Sequence, residues 1–144
     1  MPWIYLALIT ACFYALYNIF IKLASTHIHE ITGAVILQVV AFILGAAWLI
    51  YLKINHAHTE VNGKGIGLAV LAGIFVGLAE IFSFIVFSKG VPASAGVPVI
   101  IGGSVLIAAV IGFLWLKELL TLTNSLGLIL IIAGIWLLSK GGKP

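Results

Sequence analysis

Glu80 is the residue whose type and position most directly suggest chemistry. It lies near the middle of a long apolar stretch, residues 71–88, which reads LAGIFVGLAEIFSFIVFS. A carboxylate at that depth of a membrane costs roughly 2.5–3.5 kcal/mol on insertion scales, so it usually faces protein or a water-filled cavity. Two interpretations follow: a proton- or cation-responsive group in a cavity, or a neutral or hydrogen-bonded glutamate that ties helices together.

Helical periodicity predicts which other residues accompany Glu80. On a helix it shares a face with small and aromatic residues, and Ser83 lies one turn further on. Tyr14 and Asn18 follow the same spacing in the first apolar run, and Gln38 is the deep amide of the second. These side chains either line a cavity or hydrogen-bond across helices.

Metal and enzyme chemistry find little support in the sequence. Histidines and glutamates occur in two groups, in separate loops on opposite faces of one chain: His27, His29 and Glu30, and His56, His58 and Glu60. We interpret them as solvated interfacial residues, because a metal site needs three or four converging ligands with second-shell support. No nucleophile–base pair or phosphate loop is present. We expect no enzyme, no metal and no cofactor.

Composition indicates one integral membrane domain over residues 1–144. Of these residues 63% are hydrophobic and only 8% are charged, so the excess apolar area must face lipid. The net charge of +3 comes from lysines at helix ends, and the chain has no arginine, which argues against a nucleic-acid partner. No basic region precedes the first apolar run, so we expect no cleaved signal peptide. Cys12 is the single cysteine and predicts no internal disulfide.

Five apolar runs predict an all-α bundle of five transmembrane helices, with four spans as the alternative. Each run can cross roughly 30 Å of hydrocarbon as a helix. The expected helices are about 3–24, 31–52, 65–88, 91–116 and 122–138.

Pro98 and the pair Gly102–Gly103 are predicted points of flexibility in the fourth helix. Pro92 suits that helix's first turn. Stripes of small residues at four-residue spacing predict inward packing faces in four of the helices.

The lysines do not decide which way the chain is inserted. Lys53, Lys64 and Lys117 fall on one predicted side with the terminal amine, and four lysines fall on the other. Loops rich in lysine and arginine tend to stay cytoplasmic, and here the two sides balance. Either one weak bias orients every copy alike, or copies insert both ways and pair antiparallel.

A set of residues near the C-terminus resembles a known family. The turn KGVPASAGVP leads into the fourth helix, and the pattern Glu118, Thr121, Gly127 and Gly134 follows. Together with an opening helix that ends at Lys22, this resembles the EamA-type half-domain of the drug/metabolite transporter superfamily. The resemblance covers nearly the whole chain.

The resemblance implies half of an inverted-repeat transporter that works as a homodimer. It implies a secondary transporter, often an exporter, of a small metabolite or drug-like solute by alternating access in a prokaryotic inner membrane. Glu80, Tyr14, Asn18 and Gln38 would then lie near the pathway, while Glu118 and Thr121 would organise the last turn. Proton coupling through Glu80 is the mechanistic hypothesis.

Two positions depart from related patterns. Val105 stands where many members carry a proline, and the Gly102–Gly103 pair is expected to supply the flexibility instead. Small multidrug resistance proteins carry a glutamate where this chain has Tyr14, so their mechanism is not expected through that residue. A subunit of a lipid-intermediate flippase and a non-transporting membrane assembly protein are the alternative functions.

Overall fold

The chain folds into five helices, as a computed structural model that describes residues 2–57, 59–119 and 121–141 shows. The helices are α1 (Trp3–Ala24), α2 (Glu30–Ile54), α3 (Gly63–Ser88), α4 (Ala93–Leu114) and α5 (Leu122–Gly141). Each contains a window of mean hydropathy between 1.9 and 2.5, and all five are long enough to cross a membrane. The predicted all-α membrane fold with five spans is confirmed. Three residues that entered the predictions above lie outside the described residues: Met1, which carries the terminal amine, His58, and Lys143, one of the four lysines on the second predicted side.

Three helices start away from their predicted positions: α3 begins two residues early, at Gly63, and local capping shifts the starts of α2 and α4. At α2, the His29 ring nitrogen Nδ1 accepts a hydrogen bond from the Ile31 N–H at 3.3 Å, so Glu30 already belongs to the helix. At α4, Pro92 is the N-cap residue, with an extended backbone at φ −67° and ψ 142°. Its carbonyl accepts from the N–H groups of Ala95 and Gly96. Pro92 therefore precedes the helix instead of lying in its first turn.

Two helices end with a residue in the left-handed conformation. After α2, His56 has φ 53°, and the N–H of Ala57 donates to the Leu52 carbonyl at 3.0 Å, as in a Schellman motif. After α4, Lys117 has φ 57°, and the N–H of Glu118 donates to the Gly112 carbonyl at 3.0 Å. This turn ends α4 at Leu114, two residues before the predicted end.

The contacts divide the chain into two compact units. One comprises the described residues of Met1–Lys22 and Lys89–Pro144, and the other comprises Leu23–Ser88. In the first unit α4 packs on α5, where a side chain on Gly102 would meet Ile135 at 3.0 Å and Ile131 at 3.3 Å. In the second unit α2 packs on α3. A single domain over residues 1–144 stays a prediction.

The predicted stripes of small residues are mostly exposed within one chain. Two members are in contact with neighbouring side chains, Gly77 with Gln38 and Gly112 with Glu118. The other members lie at the surface of the chain: Ala7, Ala11, Ala15, Ala41, Gly45, Ala69, Gly73, Ser104 and Ala108. Within one chain, only a small part of the predicted inward packing faces is therefore in contact with other side chains.

Candidate functional site

The second half of α3 carries the buried face on which Glu80 lies. Glu80 and Ser83 are each 8% exposed, and Phe84 and Phe87 are exposed by 2% or less. Their spacing of three and four residues puts them on one side of the helix. The Glu80 atom Oε2 is buried, and the side chain interacts with other described residues. Gly73, two turns before Glu80, is exposed, so the buried face begins only at Gly77.

The first turns of α2 cover this face. Gly33 and Ala34 are buried, and a side chain on Gly33 would place its Cβ 2.7 Å from the ring atom Cζ of Phe84. Real Cβ atoms do not come that close to a ring carbon, so the approach of the two helices depends on glycine here. The contact fixes α2 against α3 one turn beyond Glu80.

Gln38 reaches α3 one turn before Glu80. Its Oε1 atom lies 3.2 Å from the place where a Cβ on Gly77 would be, so the amide rests against the α3 backbone. The same side chain lines an open groove of about 320 Å³ together with Val35, Val39 and Phe42. The structure thus brings Gln38 to the helix face that carries Glu80 and Ser83.

The Gln38 amide is half-buried and has unused hydrogen-bonding capacity. Among the residues that the structure describes, it donates and accepts no hydrogen bond. A polar group at membrane depth is costly unless it finds a partner, so such an amide is suited to an occupant that can hydrogen-bond.

Asn18 and Tyr14 differ in their surroundings on α1. Asn18 is 2% exposed, and its Nδ2 donates to the Tyr14 carbonyl at 2.7 Å, which satisfies part of the amide within the same helix. The Tyr14 side chain is 57% exposed and meets the Tyr17 ring edge-on, with ring centroids 5.9 Å apart. A role for Tyr14 and Asn18 in a pathway stays a prediction.

A polar contact that the sequence did not predict joins the ends of α2 and α3. The Ser88 hydroxyl donates to the Ile85 carbonyl at 3.0 Å and lies near the Glu30 carboxylate, and His29 Nε2 is 3.6 Å from Glu30 Oε2. Glu30 was considered only as a metal ligand. Its position in the first turn of a helix, where a carboxylate is favoured, was the available signal.

The residues of the C-terminal pattern form the turn from α4 to α5. The Glu118 carboxylate lies against Gly112, where an added Cβ would be 2.7 Å from Oε2. The Thr121 hydroxyl accepts from the Asn124 N–H at 3.2 Å and so caps α5. Gly127 and Gly134 are half-buried, and a Cβ on either would meet no neighbouring atom within 4 Å.

The three residues expected to give α4 flexibility have different surroundings. Pro98 is inside the helix and removes one backbone donor there. Gly102 is a packing position, because it touches α5 side chains, whereas Gly103 has open space beside it. Flexibility at these residues stays a prediction. Within residues 2–57, 59–119 and 121–141, no three His, Cys, Asp or Glu residues come together as metal ligands do.

Comparison with known proteins identifies the family. The model of the EamA-like transporter family matches residues 1–140. No curated protein and no solved structure matches the chain significantly. The match covers nearly all of the 144 residues, and the five apolar helices agree with it. The chain therefore belongs to the EamA-like transporter family, and it is a multi-pass membrane transporter of the drug/metabolite transporter type.

Proposed function

We propose that this protein is a secondary transporter that exports a small metabolite or drug-like solute by alternating access, with Glu80 as the coupling group. The observation that carries the proposal is a carboxylate 8% exposed in the apolar helix α3. Ionisable residues inside membrane spans commonly mark ion, proton or substrate pathways. Gln38 and Ser83, which lie on or against the same helix face, support a polar path there.

The proposed mechanism uses competition for one carboxylate. Deprotonated Glu80 attracts a cationic part of the solute, and protonation removes that attraction and releases the solute. A proton that binds on one side and leaves on the other then drives the solute the opposite way. The proton and the solute shift the populations of the two access states only if they bind those states with different affinity. Their mutually exclusive use of Glu80 links them.

We further propose that the working unit is a homodimer in a prokaryotic inner membrane, with the two copies in opposite orientations. One chain supplies five spans, an odd number, so an antiparallel pair reproduces the inverted halves found in many transporters. The exposed small-residue stripes of α1–α4 supply surfaces on which helices of a second copy can approach closely. No observation on the described residues favours a lipid-flippase subunit or an assembly protein.

Glu80→Gln tests the proposal, because it keeps the size and removes the titratable group. Purified protein in liposomes is screened with radiolabelled amino acids and cationic dyes, and uptake of each substrate found is measured from mildly acidic to mildly alkaline pH. We expect wild-type uptake to depend on pH and the uptake by Glu80→Gln to be small and independent of pH.

Glu60→Gln is the matched control, because Glu60 is an exposed residue outside the helices. This variant should keep the wild-type pH profile. A Glu80→Gln protein that inserts, folds and transports with the wild-type pH profile would refute coupling through Glu80.

A further inference from the structure

We propose that the groove beside Gln38 is a binding subsite for a small solute that carries a hydrogen-bond acceptor oxygen, carbonyl or carboxylate, on an apolar body. The inference rests on the proposed transport function and names the kind of solute that the site takes. Gln38 acts as the residue that recognises the oxygen, and Gly77 acts as a positioning residue for Gln38.

The walls of the groove suit an apolar body of limited size. Val35, Val39 and Phe42 provide aliphatic and aromatic surface, and the volume is about 320 Å³. Ligand sites in proteins are roughly 300–1,000 Å³ and mostly apolar, with a few polar groups that fix orientation. This groove lies at the small end of that range and is open on one side. Its walls therefore contact one apolar group of the solute without enclosing it.

The Gln38 amide determines which polar group the occupant must bring. Its Oε1 is turned towards Gly77, whose α-hydrogen is a weak donor. The two N–H donors of the amide remain, and in the described part of the chain no acceptor receives them. A lipid acyl chain has no acceptor to offer, whereas a carbonyl or carboxylate oxygen does.

Gly77 sets the position of that amide. A Cβ at residue 77 would lie 3.2 Å from Oε1, a tight contact that the amide must relieve by moving a few tenths of an ångström. At Gly67, nearer the start of α3 and outside the small-residue stripes, a Cβ would meet nothing within 4 Å. Gly77→Ala and Gly67→Ala are therefore a matched pair in which only the first displaces Gln38.

Binding is measured on the full chain in lipid nanodiscs by equilibrium dialysis, with empty nanodiscs subtracted for partitioning into lipid. The probes are radiolabelled phenylacetamide, which carries a carbonyl oxygen, and propylbenzene, a neutral molecule of similar size and shape without the oxygen. Gln38→Leu should weaken phenylacetamide binding about three- to tenfold, the value of one hydrogen bond, and leave propylbenzene binding unchanged.

Gly77→Ala should weaken phenylacetamide binding by about twofold or more, while Gly67→Ala should bind as the wild type does. Gly77→Ala also tests the proposal if Gln38→Leu fails to fold. Three results would overturn the subsite: no phenylacetamide binding above empty nanodiscs, binding that neither Gln38→Leu nor Gly77→Ala changes, or an equal loss of both probes.

This measurement separates the subsite from the coupling mechanism, because it requires no transport. If Glu80→Gln transports with the wild-type pH profile while Gln38→Leu loses phenylacetamide, the coupling proposal fails and the subsite stands. If Gln38→Leu binds phenylacetamide as the wild type does while Glu80→Gln loses its pH dependence, the subsite fails and the coupling proposal stands.

Discussion

Gly33 lies where α2 contacts α3, and its missing side chain leaves the space that the Phe84 ring occupies. A methyl group there would overlap the ring, which is 2% exposed and has little room to turn. Gly33→Ala should therefore destabilise the protein by about 1–3 kcal/mol, as overpacking does in other cores. The measurement is unfolding in mixed micelles titrated with dodecyl sulfate.

Gly67→Ala in α3 is the control for this prediction, because a Cβ there would meet no atom within 4 Å and the residue lies outside the small-residue stripes. It should leave stability unchanged or raise it slightly, since alanine favours the helix over glycine. A Gly33→Ala protein that unfolds at the same dodecyl sulfate fraction as Gly67→Ala would show that Phe84 can move aside.

At the scale of single residues, the sequence predicts which residues can do chemistry better than it predicts which residues are in contact. Glu80 stands out because a carboxylate in an apolar run is costly, and the structure buries it. Helical periodicity alone places Ser83 on the same face of α3 as Glu80. The contact of Gln38 with Gly77 could not be predicted, because the periodicity within each helix does not determine the register between two helices. The proximity of Ser88 to Glu30 could not be predicted from the sequence for the same reason.

The turn between α4 and α5 shows how short-range polar contacts define an element. Thr121 caps α5 through its hydroxyl, and its carbonyl accepts from the Ser125 N–H at 3.0 Å. Thr121→Ala should lose about 1 kcal/mol of helix stability, the usual value of an N-cap. Hydrogen exchange at the first amides of α5 should become faster, with the Asn124 amide the most affected.

Thr123→Ala is the control for the capping prediction. Thr123 lies in the first turn of α5, is exposed, and makes no side-chain hydrogen bond among the described residues. Its replacement should leave exchange at Asn124 unchanged. Equal protection of that amide in both variants would mean that the cap contributes nothing to α5.

At the scale of elements, hydropathy alone predicts the five helices, because a membrane leaves the backbone few alternatives to a helix. Their ends depend on caps that hydropathy does not register. Lys117 and His56 adopt left-handed conformations where glycine is the usual residue. The residue types at these positions therefore did not predict where the helices end. Gly90, with φ 86°, follows the common rule, and its residue type predicts the turn between α3 and α4.

At the scale of the whole molecule, the exposed small-residue stripes are the surfaces that the proposed homodimer would use. Ala69 and Gly73 on α3 and Gly45 on α2 are exposed, although close packing is what such residues permit. In lipid, apolar exposure carries no cost, so exposure alone does not call for a partner. The stripes could be read from the sequence, but whether they pack within one chain or between chains could not.

Insertion in both orientations, the basis of the proposed antiparallel dimer, is testable with two reporter cysteines. Val61→Cys and His27→Cys, each in a Cys12→Ser background, place single thiols in exposed loops before α3 and before α2. One helix, α2, separates the two loops, so they lie on opposite sides of the membrane.

If every copy inserts alike, an impermeant maleimide applied outside cells labels one reporter and not the other. Because the lysines balance across the two sides, we expect each reporter to be labelled in part from outside, with the remainder labelled after permeabilisation. Complete labelling of one reporter from outside and none of the other would contradict dual topology and exclude the antiparallel homodimer.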